Sequence, residues 1–199
     1  MRERAGSYRL VLPPTWVLIP VGDASRRAID ALLDEQFGHR TTPRDLTNRR
    51  RMAETLRALV ASANESGGID VIFPLVIPWQ VPVSAGIVMS ELHATAPSEQ
   101  AVSTLMTSLE RSRPGSTIAE THAGPALREI VEHPPEVGVA PESLSTLRTV
   151  YYTWPQPGAA GSFMISACTI SGQAIAEFAP IVDALTELND VMMQTLVWA

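Results

Sequence analysis

Hydrophobic and polar positions alternate most clearly near the carboxyl end of the chain. Val150-Tyr151-Tyr152-Thr153-Trp154 is rich in aromatic and β-branched residues, which suit a pleated, half-buried surface. The turn formers Pro155 to Gly161 interrupt it, and a second run follows from Ser162 to Ile170. In that run Phe163, Ile165 and Ala167 share one face, and Met164, Ser166 and Cys168 share the other. The pattern predicts an antiparallel hairpin closed by Ser171-Gly172. The period then changes. Ile181, Leu185, Leu188, Met192 and Thr195/Leu196 repeat at steps of three to four, the stripe of a helix with one apolar face. Pro180 belongs in its first turn, where a missing N–H is harmless, and Gln173 to Phe178 reads as a separate short helical turn. This helix is expected to lie across the hairpin.

Earlier in the chain, Tyr8–Leu12 and Trp16–Val21 are strand-like, separated by Pro13-Pro14-Thr15. Asp23 offers an N-cap to a helix from Ala24 to Gln36, with Ile29, Leu32, Leu33 and Phe37 inward and Gly38 just past its end. Thr42-Pro43-Arg44-Asp45 is a clear helix start, and that helix runs to about Ser66 with Leu46, Ala53, Leu56, Val60 and Ala63 inward. On it, Arg49-Arg50-Arg51 spans too much of the circumference to form one flat patch. It reads as a solvated face paired with Asp45 and Glu54. Ile69–Ile77 is a strand that Pro74 places at an edge, or bulges, or shortens. Val83–Leu92 is apolar or small on both faces, which predicts a central strand. Ser98–Arg111 predicts a further helix, then Thr117–His122 and Ala126–His133 two strands, then Pro134–Ser145 a surface loop.

Strands come as consecutive hairpins with helices between pairs. The predicted fold is therefore α+β, a single domain over residues 1–199 with one antiparallel sheet of about seven strands flanked by helices.

Composition narrows the function classes. The formal net charge is −6, with 11 Arg against 8 Asp+Glu in residues 1–67 and 4 against 13 afterwards. An acidic total argues against nucleic acid as the main partner. No run approaches a membrane span and no signal peptide is recognised, so a cytoplasmic protein is expected. Cys168 is the single cysteine, read as a buried, inert thiol.

The search for chemistry finds no phosphate-binding glycine loop and no G-x-S-x-G elbow, so no catalytic residue and no cofactor is assigned. Ser84 and Ser166 lie within strands without an identifiable base. His39, His93, His122 and His133 form no H-x-x-x-H spacing. His122 and His133 could meet across their hairpin with Glu120 and Glu132 nearby; a solvated sheet face is favoured over a metal site. Glu120, Glu129 and Glu132 could in principle do acid–base work, though alternating acids usually face water. Trp79, Tyr152 and Trp154, beside prolines or at strand ends, are candidate partner-binding anchors; capping the ends of the core is the competing account and the favoured one.

Leu12-Pro13-Pro14-Thr15-Trp16 resembles the L-P-x-G-W opening of the Mog1/PsbP-like group, with Thr15 in place of the glycine. The aromatic strand, hairpin and last helix close to Trp198 resemble that group's ending, apart from Pro180. The all-Arg basic composition and layout are similar to those of a set of uncharacterised actinobacterial proteins. The resemblance implies an antiparallel sheet between helices and roles in binding or assembling proteins, with no catalytic set attached. The expected function is thus a non-catalytic adaptor that binds a protein partner, with a homo-oligomer among the expected assemblies. The alternatives are a small-molecule binder or minor enzyme using a cavity between sheet and helices, and an accessory or chaperone of a secretion system.

Overall fold

The computed structural model describes residues 8–38, 42–76, 81–93, 107, 111, 115–134, 143–158 and 161–199. Its centre is a seven-stranded, wholly antiparallel sheet, and the predicted α+β class holds. In chain order the elements are β1 (Tyr8–Arg9), β2 (Trp16–Pro20), α1 (Ser25–Phe37), α2 (Pro43–Glu65), β3 (Gly68–Pro74), β4 (Val83–His93), β5 (Ser116–Thr121), β6 (Gly124–Glu132), β7 (Leu144–Pro155) and β8 (Ser162–Gln173). A 3₁₀ turn (Ala176–Phe178), α3 (Ala179–Gln194) and β9 (Val197–Trp198) follow. The sheet order is β2-β3-β4-β8-β7-β6-β5, and β1 pairs with β9 in a separate two-stranded ribbon. No described helix is long and apolar enough to cross a membrane. The predicted helix Ser98–Arg111 lies outside the described residues except for Thr107 and Arg111, both helical.

Two large cores form because the sheet is covered on both faces, and a small third cluster joins Leu127, Phe163 and Ile118. Along β3 the split is visible residue by residue: Val71 joins Ile19, Leu33, Leu56 and Val60 beneath α1 and α2, while Ile72 joins Ile87, Met164, Leu185 and Met193 beneath α3. The central hairpin forms as predicted, Val150 opposite Cys168, Tyr152 opposite Ser166 and Trp154 opposite Met164. The Met164/Ser166/Cys168 face is the one that receives α3. Pro180 sits in the first turn of α3, and the helix buries Val182, Leu185, Asn189, Met192 and Met193.

Several local expectations change. Ser171-Gly172 does not close the hairpin; β8 continues beside β4, with Gly172 opposite Val83. A Cβ at Gly172 would lie 2.7 Å from the Pro82 carbonyl oxygen and 2.9 Å from Val83 Cγ2, so glycine is required by close approach and not by a turn. Asp23 does not cap α1, whose N-cap is Ala24 without a side-chain bond, and Gly38 keeps right-handed helical backbone. Thr42 does cap α2, accepting from the Asp45 N–H at 3.2 Å. Pro74 shortens β3, one of the three outcomes expected of it; the edge alternative falls away, since β3 lies between β2 and β4, and the strand's bulge is elsewhere, between Gly68 and Asp70. Arg49 meets Asp34 on α1 at 2.7 Å, not Asp45 or Glu54.

The sheet has two edge strands, β5 and β2, and β2 shows how one of them is guarded. Val21 N–H donates to Ile69 O and Leu75 N–H to Thr15 O, so the odd-numbered residues of this strand face β3. Trp16, Leu18 and Pro20 therefore present their backbone outward. The Trp16 N–H is taken by Pro13 O, and Pro20 has none, which leaves Leu18 as the outward donor.

Candidate functional site

The residue types from which chemistry could be built gather along the seam between α3 and the sheet. Alternation on β6 and β7 puts Arg128 and Glu132 on the seam face, cross-strand from Tyr152 and Arg148. On α3, Asp183, Thr186 and Asp190 follow one another at steps of three and four, along the flank of the buried stripe. The two sets meet. Arg128 donates to Asp190 through Nε at 2.9 Å and through Nη2 at 2.7 Å, a bidentate pair whose side chains are 19% and 23% exposed. The Tyr152 hydroxyl donates to the same carboxylate at 2.8 Å. Arg148 donates to Glu132 at 2.7 Å, to Asp183 at 2.8 Å and to the Thr186 hydroxyl at 2.9 Å.

Electrostatics follow from this geometry. The hydrogen bonds that Arg128 donates to Asp190 raise the arginine pKa further above its ordinary value, against the opposing effect of burial. Burial, with the Asp190 charge next in importance, drives the Tyr152 hydroxyl well above the usual tyrosine range and keeps it a donor. Burial and the same charge push the Cys168 thiol up to about 12, so it is no nucleophile in the folded protein.

Two of the three predicted partner anchors require correction. Tyr152 and Trp154 are 1% and 0% exposed. Their rings stack at 5.4 Å, and the Trp154 indole donates to Thr121 Oγ1 at 3.0 Å. They face inward because even-numbered β7 residues point at α3. Trp79 lies outside the described residues.

The imagined His/Glu cluster also dissolves. The hairpin register pairs Thr121 with Gly124 and Ser116 with Glu129, so His122 is at the turn and His133 beyond the far end of β6. His133 meets Thr149 Oγ1 at 3.0 Å, and the His122 N–H donates to Gln194 O. Glu120 pairs with Pro125 on the face opposite Glu132. Among the described residues no three His, Cys, Asp or Glu side chains converge as metal ligands. Ser84 pairs across β8 with Ser171, and Ser166 is fully buried. One contact that sequence reasoning missed is His93 Nδ1 to Ser162 Oγ at 2.8 Å; the β4–β8 register creates it, and alternation alone could not supply that register.

A concavity of about 320 Å³ lies on the other side of the molecule, between the first turns of α1 and the last turns of α2. Ile29, Val60 and Ala61 line its apolar part; Ser25, Arg26, Arg57 and Asn64 supply polar groups. The α2 residues recur at 57, 60/61 and 64, one face of a helix. The dish is open to solvent. It lies between two helices, not between sheet and helices. Comparison of the chain with protein-family models, with curated proteins and with solved structures returned no match.

Proposed function

We propose that this chain is a non-catalytic binding protein whose partner is another polypeptide, as the Mog1/PsbP-like resemblance also suggests. The observation that carries the reading is the open dish between α1 and α2, with an apolar floor and an arginine-bearing rim. Small-molecule sites enclose most of their ligand, about 70–90% of its surface. A dish open on one side suits the anchoring side chain of a larger partner better. The seam groups, by contrast, are engaged with one another in fastening α3 to the sheet.

The test is affinity capture from the native lysate, with the wild-type chain and the Ala61→Trp variant as baits. Ala61 is exposed, so an indole there blocks the dish without disturbing the core. Recovery of a specific polypeptide by the wild type and its loss with the variant supports the reading. Recovery of background alone, while a small molecule raises the melting temperature of the wild type and not of the variant, replaces it with the second reading. That second reading is a binder of small anionic ligands in the same dish, favoured by Arg26 and Arg57 on its rim.

A further inference from the structure

The buried face of α3 carries two polar residues, Thr186, whose hydroxyl is bonded to the Val182 carbonyl, and Asn189, and the seam face of β8 has one hydroxyl on its central stretch, Ser166; Asn189 and Ser166 are both 0% exposed. Neither Asn189 Oδ1, Asn189 Nδ2 nor Ser166 Oγ has a hydrogen-bond partner. Both belong to faces that meet at the seam: Ser166 lies between Met164 and Cys168 on the β8 face that α3 covers, and Asn189 is among the buried residues of α3. Ser166 is the cross-strand neighbour of Tyr152, and the Tyr152 hydroxyl donates to Asp190, the residue after Asn189. On its other side Ser166 neighbours Met89, so the surroundings are apolar.

Buried amides and hydroxyls are almost always hydrogen-bonded, and one without a protein partner is most often served by ordered solvent. A direct bond between Asn189 and Ser166 satisfies the hydroxyl and one end of the amide and leaves the other end orphaned. A charged occupant is excluded by an apolar lining that offers it no counter-charge within the pair. We infer that a single buried water molecule occupies the midpoint of the seam between α3 and β8, bridging Asn189 and Ser166. Water carries both donors and acceptors, which matches an amide and a hydroxyl that each present both.

The experiment is water-selective NMR on the isotopically labelled full chain, reading magnetisation transfer from water to the Asn189 side-chain amide. A long-lived water gives a nuclear Overhauser cross-peak with the sign of slow tumbling, which is the expected result. The cross-peak is lost in Asn189→Leu together with the amide, so Ser166→Ala supplies the independent check: the peak weakens at least about twofold as the water loses one of its two anchors. Absence of the cross-peak in the wild type overturns the inference. So does a crystal structure with Asn189 bonded directly to Ser166 and nothing between them. Both decisive measurements use the wild-type chain, so a variant that fails to fold does not spoil the test.

Discussion

Replacing Asp190 with alanine removes the one carboxylate on α3 that accepts from two sheet strands at once. The Asp190 carboxylate receives both Arg128 bonds and the Tyr152 hydroxyl. Without it the guanidinium, 19% exposed, loses its counter-charge, and the buried phenol loses its acceptor. Breaking a fully buried ion pair by deleting one partner costs about 3–5 kcal/mol. Partial exposure at this rim brings that down to about 1–2 kcal/mol, because solvent screens the orphaned arginine. The stranded Tyr152 hydroxyl adds about 1 kcal/mol. The sum is about 2–3 kcal/mol, or roughly 5–10 °C in melting temperature for a chain of this size. Urea unfolding followed by far-ultraviolet circular dichroism measures it directly. Tyr152→Phe, which deletes the donor with its partner still satisfied by Arg128, costs only about 1 kcal/mol. Replacing Arg128 and Asp190 together by methionine and leucine costs only about 1 kcal/mol, the share of the stranded Tyr152 hydroxyl, since paired charges contribute little over well-packed apolar groups. An Asp190→Ala midpoint within about 0.5 kcal/mol of wild type refutes the view that this pair fastens α3.

Further outcomes follow from other parts of the structure. Cys168 resists a thiol-specific disulfide reagent at neutral pH and reacts once denaturant is added; reaction in the native state at the rate of a free thiol contradicts its burial. Its pKa rises from 9.0 to about 12 on folding, so both states are protonated below pH 9 and the unfolded chain alone loses the proton above it. Stability therefore falls between pH 9 and about 12, and Cys168→Ala lessens the slope in that window. Gly172→Ala costs about 1–3 kcal/mol, because its methyl group meets backbone at Pro82 that cannot move without disturbing β4; thermal melts measure it. Thr42→Ala costs about 1 kcal/mol through loss of the α2 cap, and Thr42→Ser restores it, again by chemical denaturation.

Periodicity made the long elements legible. The alternation in β7 and β8 and the capping sequence of α2 match what formed; the helical period of α3 holds, but its buried face is turned toward Val182, Asn189 and Met193, leaving Ile181 and Leu188 partly buried. Register was not legible, and errors follow from that. In the sequence Tyr152 and Trp154 are candidate anchors because they stand near the end of their strand beside Pro155; Trp154 is indeed the last residue but one of β7, and the competing account holds, since alternation turns both rings into the core beneath α3. His122 and His133 group together in the sequence because both border the same predicted hairpin, yet one stands at its turn and the other beyond its open end, and antiparallel pairing from Thr121–Gly124 to Ser116–Glu129 keeps those ends apart. The Arg128–Asp190 pair spans 62 residues, and nothing local links them. A trace of it existed all the same. Asp183 and Asp190 are seven apart on the flank of an apolar stripe, and two arginines sit on strands of the sheet that stripe covers. The dish between α1 and α2 left no such trace, because it depends on how two helices converge.

The backbone of β2 has a bearing on life at high concentration. A template for adding foreign strands needs a row of free amide hydrogens, and here only Leu18 offers one. Two neighbours meeting along that side would find carbonyl facing carbonyl at Pro20 and no ladder to build. Exchanging that imino acid for threonine would restore a rung and, with it, an invitation to ribbon-like polymers that the native chain declines.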